Sequence, residues 1–226
     1  MCIRDRYFVD GKNTSFRGNA DLIYTPVINF SADTALLPIY NGTYRGTKDV
    51  QELVGGGTLT KKSMSHGVYL KGVHKMPQDY LLKGSIGYRG QWLSETEDER
   101  LSDGLFNNNR YTAGFSAEKE FRGIKYRAGY DFGITDYTNY KALSSDSRFE
   151  EAGVTESMGV DVLDFKTHSL GFGGLISLSE NFQLDSRYAV SYLTFDDQKI
   201  IQRSGGYSGS KRTDLDHTLS LQGVLN

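Results

Sequence analysis

Residues 80–93 read YLLKGSIGYRGQWL. In steps of two, the even positions are Tyr80, Leu82, Gly84, Ile86, Tyr88, Gly90 and Trp92; the odd ones are Leu81, Lys83, Ser85, Gly87, Arg89, Gln91 and Leu93. Successive side chains of a strand point to opposite faces, so one face here is apolar and aromatic and the other mostly polar or small. The division recurs over 110–121, where Tyr111, Ala113, Phe115, Ala117 and Phe121 oppose Arg110, Thr112, Gly114, Ser116, Glu118 and Glu120. It recurs again over 124–135, with Ile124, Tyr126, Ala128, Tyr130, Phe132 and Ile134 against Lys125, Arg127, Gly129, Asp131, Gly133 and Thr135. Lys119 is a local exception on the apolar face.

Extending this pattern along the chain predicts about nine strands, at 16–30, 34–45, 63–74, 80–93, 110–121, 124–136, 165–178, 182–194 and 214–225. Their connections alternate in length. Tight turns at 31–33, 75–79, 122–123 and 179–181 are interleaved with long polar loops at 46–62, 94–109, 137–164 and 195–213. No linker marks a second domain. The opening MCIRDR leads to the expectation of a non-native or loop-like start at 1–15, followed by one domain over 16–226.

Composition agrees with strands. The chain has 226 residues, with 15 Tyr, 12 Phe and 26 Gly but only 3 Pro, and is 38% apolar. A formal charge of -2 exerts no global pull on nucleic acid. Cys2 is the only cysteine, so no internal disulfide can form. No run of 18 apolar residues is present, which excludes a transmembrane helix and leaves strands as the one route across a bilayer.

A soluble sandwich also alternates, but its loops are of mixed length at both ends and its strands are shorter than these. Here one end has tight turns and the other long loops, with aromatic residues at both. Phe30, Tyr80, Phe121 and Phe182 lie beside the short turns, and Tyr44, Trp92, Tyr111 and Tyr192 near the long loops. Two such belts at the ends of an apolar band suit the two lipid headgroup levels. On strands such as DYLLKGSIGYRGQWLSE, turns such as PQD and RG, and loops such as ETEDERLSDG, the chain resembles bacterial outer-membrane β-barrel proteins of the porin-like kind. That resemblance implies an all-β, antiparallel up-and-down transmembrane barrel in the bacterial outer membrane, with long loops extracellular and short turns periplasmic. Bacterial single-chain barrels use an even number of strands, so nine predict a partial barrel, open or incompletely closed, from a larger one.

The four histidines invite a metal-site reading. His66 and His74 share a face of one predicted strand, but eight residues at about 3.4 Å separate them by roughly 27 Å, beyond any shared ion. The segments SHGVYLKG, THSLGFGG and DHTLSLQG instead place His66, His168 and His217 at equivalent positions, with Tyr111 as the equivalent on the fifth predicted strand. A position that takes His or Tyr fits an interfacial girdle, with His74 at the opposite boundary. No catalytic residue, cofactor or metal site is expected. His217 follows Asp216 but would point to the other face, and no HExxH, nucleophile elbow, Gly-rich loop with Lys or paired cysteine is present.

The other face carries Arg17, Asp21, Lys71, Lys83, Arg89, Arg110, Glu118, Glu120, Lys125, Arg127, Asp131, Asp185, Arg187 and Asp216, interleaved with glycines. Charges of both signs with little bulk suit a hydrated lumen, although cross-strand ion pairs bracing a filled interior would use the same residues. The leading expectation is a passive channel for small hydrophilic solutes, not an enzyme, in contact with outer-membrane lipid and lipopolysaccharide. Its assembly into homo-oligomers is left open. The alternatives are a structural or export barrel for polysaccharide or surface proteins, an outer-membrane hydrolase and a soluble β-domain.

Overall fold

In the computed structural model the chain is all-β, an antiparallel up-and-down sheet. The structure describes residues 2–10, 13–53, 57–94, 100–140, 161–179, 182–201 and 207–225, with side chains over 18–46, 62–94, 100–140, 161–179, 182–200 and 209–223. The strands are β1 (Cys2–Asp10), β2 (Asn13–Tyr24), β3 (Ile28–Asn29), β4 (Thr34–Leu53), β5 (Gly57–Met76) and β6 (Tyr80–Ser94). They continue with β7 (Asn108–Phe121), β8 (Ile124–Asp136), β9 (Phe165–Ser179), β10 (Phe182–Ile201) and β11 (Tyr207–Leu225). Ten of them lie side by side in chain order, and the two-residue β3 pairs with β4 off this path. No pairing joins β1 to β11 among the described residues, so the sheet is not closed, consistent with a partial barrel.

Three sequence expectations are corrected. The strand expected over 16–30 stops at Tyr24, because Pro26 has no N–H to give a ladder; pairing resumes only at β3, where Ile28 and Asn29 face Leu36 and Ala35. Residues 2–10, expected as a loop-like start, pair with 13–21 as β1, which brings the nine expected strands to ten on the path. The expected loops at 46–62 and 195–213 are largely strand. β4 and β5 stay in register to Lys48 opposite Thr60 and resume past an irregularity at Glu52 opposite Thr58, and β10 and β11 continue to Ile201 opposite Tyr207. Alternation of polarity disappears in these extensions while the backbone ladder continues, and side-chain pattern alone reads such a segment as loop.

The tight connections have the geometry their residues dictate. At 122–123 both central residues have positive φ, 52° for Arg122 and 74° for Gly123, as a type I′ hairpin turn requires. At 77–79 a 3-10 turn carries Gln78 and Asp79 at φ of 65° and 60°. Side-by-side pairing keeps each face chemically uniform. Pro38, Leu70, Ile86, Ala113, Phe132, His168, Tyr192 and Leu215 form one continuous cross-strand row.

This apolar face is not covered. Val68, Ile86, Phe115, Phe172 and Leu219 are 57%, 60%, 56%, 54% and 68% exposed, whereas Val162, in a loop, is the one buried hydrophobic residue among those described. Burial of apolar area supplies about 25 cal/mol per Å² of stabilisation, and the described residues form no interior in which to gain it.

Candidate functional site

Register places every charged position expected for a lumen on the face opposite the apolar one, although the side chain of Arg17 lies outside the described residues. Near the short turns these charges are paired. Lys83 Nζ meets Glu118 Oε1 at 2.5 Å, and Asp185 joins two guanidiniums, through Oδ1 to Arg127 and through Oδ2 to Arg187 at 2.7 Å. The acids are the sheltered members, Glu118 at 18% and Asp185 at 14% exposed. Glu120 stands opposite Lys125 in the ladder. Arg127 Nε is buried with no hydrogen-bond partner, its fork committed to Asp185 through Nη2 alone.

Toward the long loops the picture changes. Arg89 and Arg110 are direct cross-strand partners, both exposed, and among the described residues neither they nor Lys71 meets a carboxylate. Along the whole polar face, large side chains lie flat over glycines. The Tyr69 ring spans Gly67 on its own strand and Gly87 on the next, so closely that a Cβ at either would collide with it. Asp131 covers Gly114 in the same way, and Arg127 covers Gly173, whose Cβ would fall 2.9 Å from Nε. Polar residues of six successive strands, from Asn41 on β4 to Ser169 on β9, line one cavity of about 550 Å³ on this face, together with Ile39 and Phe132.

The apolar face carries a repeat. The hydroxyls of Tyr40, Tyr130 and Tyr188 lie 2.5, 2.7 and 2.7 Å from Nδ1 of His66, His168 and His217. In each pair the histidine sits two residues nearer the long loops than the direct ladder partner of the tyrosine, which is Val68, Leu170 or Leu219. The remaining hairpin has Tyr88 opposite Tyr111 with its hydroxyl donating to Asn109 Oδ1 at 2.7 Å, so the counterpart of the histidines is Asn109, and the expected Tyr111 is corrected. Counting residues back from the turn misses this, because the bond is diagonal. Trp92 meets the His66 ring edge-on at 5.8 Å, and Tyr44, Tyr111 and Tyr192 are exposed nearby in the chain.

At the short-turn end, Phe30, Phe121 and Tyr80 are exposed. The exceptional Lys119 extends to Tyr80, its amine 2.9 Å from the hydroxyl and 4.1 Å from the ring centre, a cation drawn along an apolar surface to a polar end. Phe182 lies against Gly223, whose Cβ would be 3.0 Å from the ring. His74 Nδ1 is 2.8 Å from Thr34 Oγ1, so His66 and His74 engage different partners. Among the described residues no cluster of three His, Cys, Asp or Glu could hold a metal ion.

The bases of the long loops fold against the strand ends. Asn107, 3% exposed, accepts from the Leu93 amide and donates to the Leu101 carbonyl, both at 2.7 Å, and Asn139 donates to the carbonyls of Ser102 and Gly104. Asp164 accepts the Tyr137 amide at 2.8 Å. Burial, followed by the nearby Asp136 and Asp161, raises its carboxyl pKa against the opposing pull of that amide. The acidic stretches FEEAGVTE and most of ETEDER lie outside the described residues, as do the first two glycines of GGG at 55–57.

The tyrosine partners and the asparagine hub carry no fixed sequence spacing, so the register was needed to find them. No family model matches the chain, and neither the curated proteins nor the solved structures include a match to it.

Proposed function

We propose that this chain is part of an outer-membrane β-barrel that acts as a porin-like passive channel for small hydrophilic solutes. One observation carries the reading: the large apolar side chains stand exposed on one face of a sheet with almost no buried apolar residue of its own, and the charged residues occupy the other. Water is a poor partner for such a face, and hydrocarbon is a good one. The tyrosine–histidine pairs and the Lys119–Tyr80 contact support it further, since amphipathic rings and extended lysines suit headgroup levels. On this reading the polar face lines a hydrated lumen, which side chains folded flat over glycines leave open. Solute choice then resides in bore and charge, with no chemical step.

The test is conductance of the full chain reconstituted in planar bilayers. Stable, ion-selective current steps are expected. A protein that is monomeric in buffer without detergent, or that inserts and passes no current, overturns the channel.

A further inference from the structure

We propose that the polar face carries a binding site for an acidic sugar, formed by Tyr69 with Lys71 and Arg110 and bordered by Arg89, the cross-strand neighbour of Arg110. The inference deepens the channel reading and rests on it only in taking this face as wet.

Charge points to an anion. The cations Lys83, Arg127 and Arg187 are already engaged by acids, Lys83 by Glu118 and the two arginines by a shared Asp185. Arg89 and Arg110 stand directly opposite each other with no described carboxylate between or beside them. Like charges in that position oppose strand pairing, and an anion bridging them relieves it. Two guanidinium forks match the geometry of a carboxylate, and Lys71 adds a mobile third charge.

Shape and polarity point to a sugar. The cavity of about 550 Å³ that Lys71 and Arg110 line also includes Tyr69. That volume is within the range of small-molecule sites. One side of the Tyr69 ring rests on Gly67 and Gly87, which leaves the other as a flat platform toward the cavity. A pyranose presents axial C–H groups that suit an aromatic face. Around the platform Asn41 and Thr112 offer hydroxyl partners, and Asp131 accepts from hydroxyl groups while repelling a second negative charge. A compact inorganic anion would use the cations but leave the ring and Asp131 without a role.

The probe is D-glucuronate, titrated calorimetrically into the full chain in detergent micelles, with glucose, acetate and inorganic phosphate as comparisons. Glucuronate is expected to bind at least about tenfold more tightly than glucose or acetate. Arg110→Gln and Lys71→Gln, at exposed side chains, are each expected to weaken it about tenfold, the effect of one charge-assisted bond. Tyr69→Leu is expected to remove the advantage over acetate. Circular dichroism of each variant checks that the strands are retained. Binding no tighter than acetate, or phosphate preferred with Tyr69→Leu unaffected, overturns the sugar site. Conductance separates the two proposals: a conducting protein indifferent to glucuronate loses only the site, and one that binds glucuronate without conducting loses only the channel.

Discussion

The Tyr88 hydroxyl donates to Asn109 at the place where three other hairpins pair a tyrosine with a histidine. Asn109→His is therefore expected to keep the fold and the Tyr88 bond, with a stability change under about 0.5 kcal/mol. In the neighbouring pair, Tyr130→Phe combined with His168→Ala is expected to show a coupling of about 1 kcal/mol. Denaturant unfolding from lipid vesicles measures both, and zero coupling would reduce the pair to two independent rings.

Charge on the polar face makes a graded prediction. Lys83 and Glu118 cancel each other, whereas Arg89 and Arg110 meet no carboxylate among the described residues. Arg89→Glu is expected to move the reversal potential in a salt gradient toward cation preference, and Lys83→Glu to do the same more weakly, since it leaves two acids in mutual repulsion. The double change Lys83→Gln with Glu118→Gln is expected to leave selectivity unchanged. A shift from the double change equal to that from Arg89→Glu would mean that paired and unpaired charges weigh alike.

The turn at 122–123 has a simpler test. Gly123 has φ of 74°, where a Cβ is strained, so Gly123→Val is expected to cost about 1–2 kcal/mol. Arg122→Asn, at φ of 52°, is expected to be neutral or stabilising because asparagine tolerates that conformation. Refolding equilibria separate the two variants if the turn is type I′: Gly123→Val destabilises and Arg122→Asn does not.

Phe115 and Thr112 lie three positions apart on one strand and on opposite faces. If the apolar face meets lipid, Phe115→Arg is expected to cost about 2–4 kcal/mol on folding into vesicles, and Thr112→Arg less than about 1. Equal costs would remove lipid as the distinguishing partner.

Asp164 predicts a local pH dependence. Its carboxyl pKa is raised by burial and by Asp136 and Asp161, so the folded state holds a proton that the unfolded state has released. The stabilisation is complete below the ordinary carboxylate value and is lost as pH rises through the folded value. The free energy of unfolding, measured by denaturant titration at a series of pH values, is expected to fall over that window. Asp164→Asn keeps an acceptor and should flatten the profile; an unchanged slope would assign it to another group.

The fold was legible from residues 80 to 135 because one face there is apolar and aromatic and the other polar or small. Legibility failed where that division ends. Beyond Arg45 and Thr194 the backbone ladder continues, but polarity no longer reports which way a side chain points. Pro26 could have been read from the sequence, since a missing N–H is a local property. The Tyr40–His66, Tyr130–His168 and Tyr188–His217 bonds could not, because connections of different length separate their partners and the diagonal contact exists only in register. The same applies to the division between paired and unpaired cations: composition supplies the charges but not their neighbours.

The glycines beneath Tyr69, Asp131 and Arg127 have a consequence for how the wall could change. Each missing Cβ is a recess that stores a side chain, so one added methyl would lift a ring, a carboxylate or a guanidinium off the polar face. If that face lines a passage, its calibre is adjustable in single-carbon increments, and its gauge is written in the atoms that these residues omit.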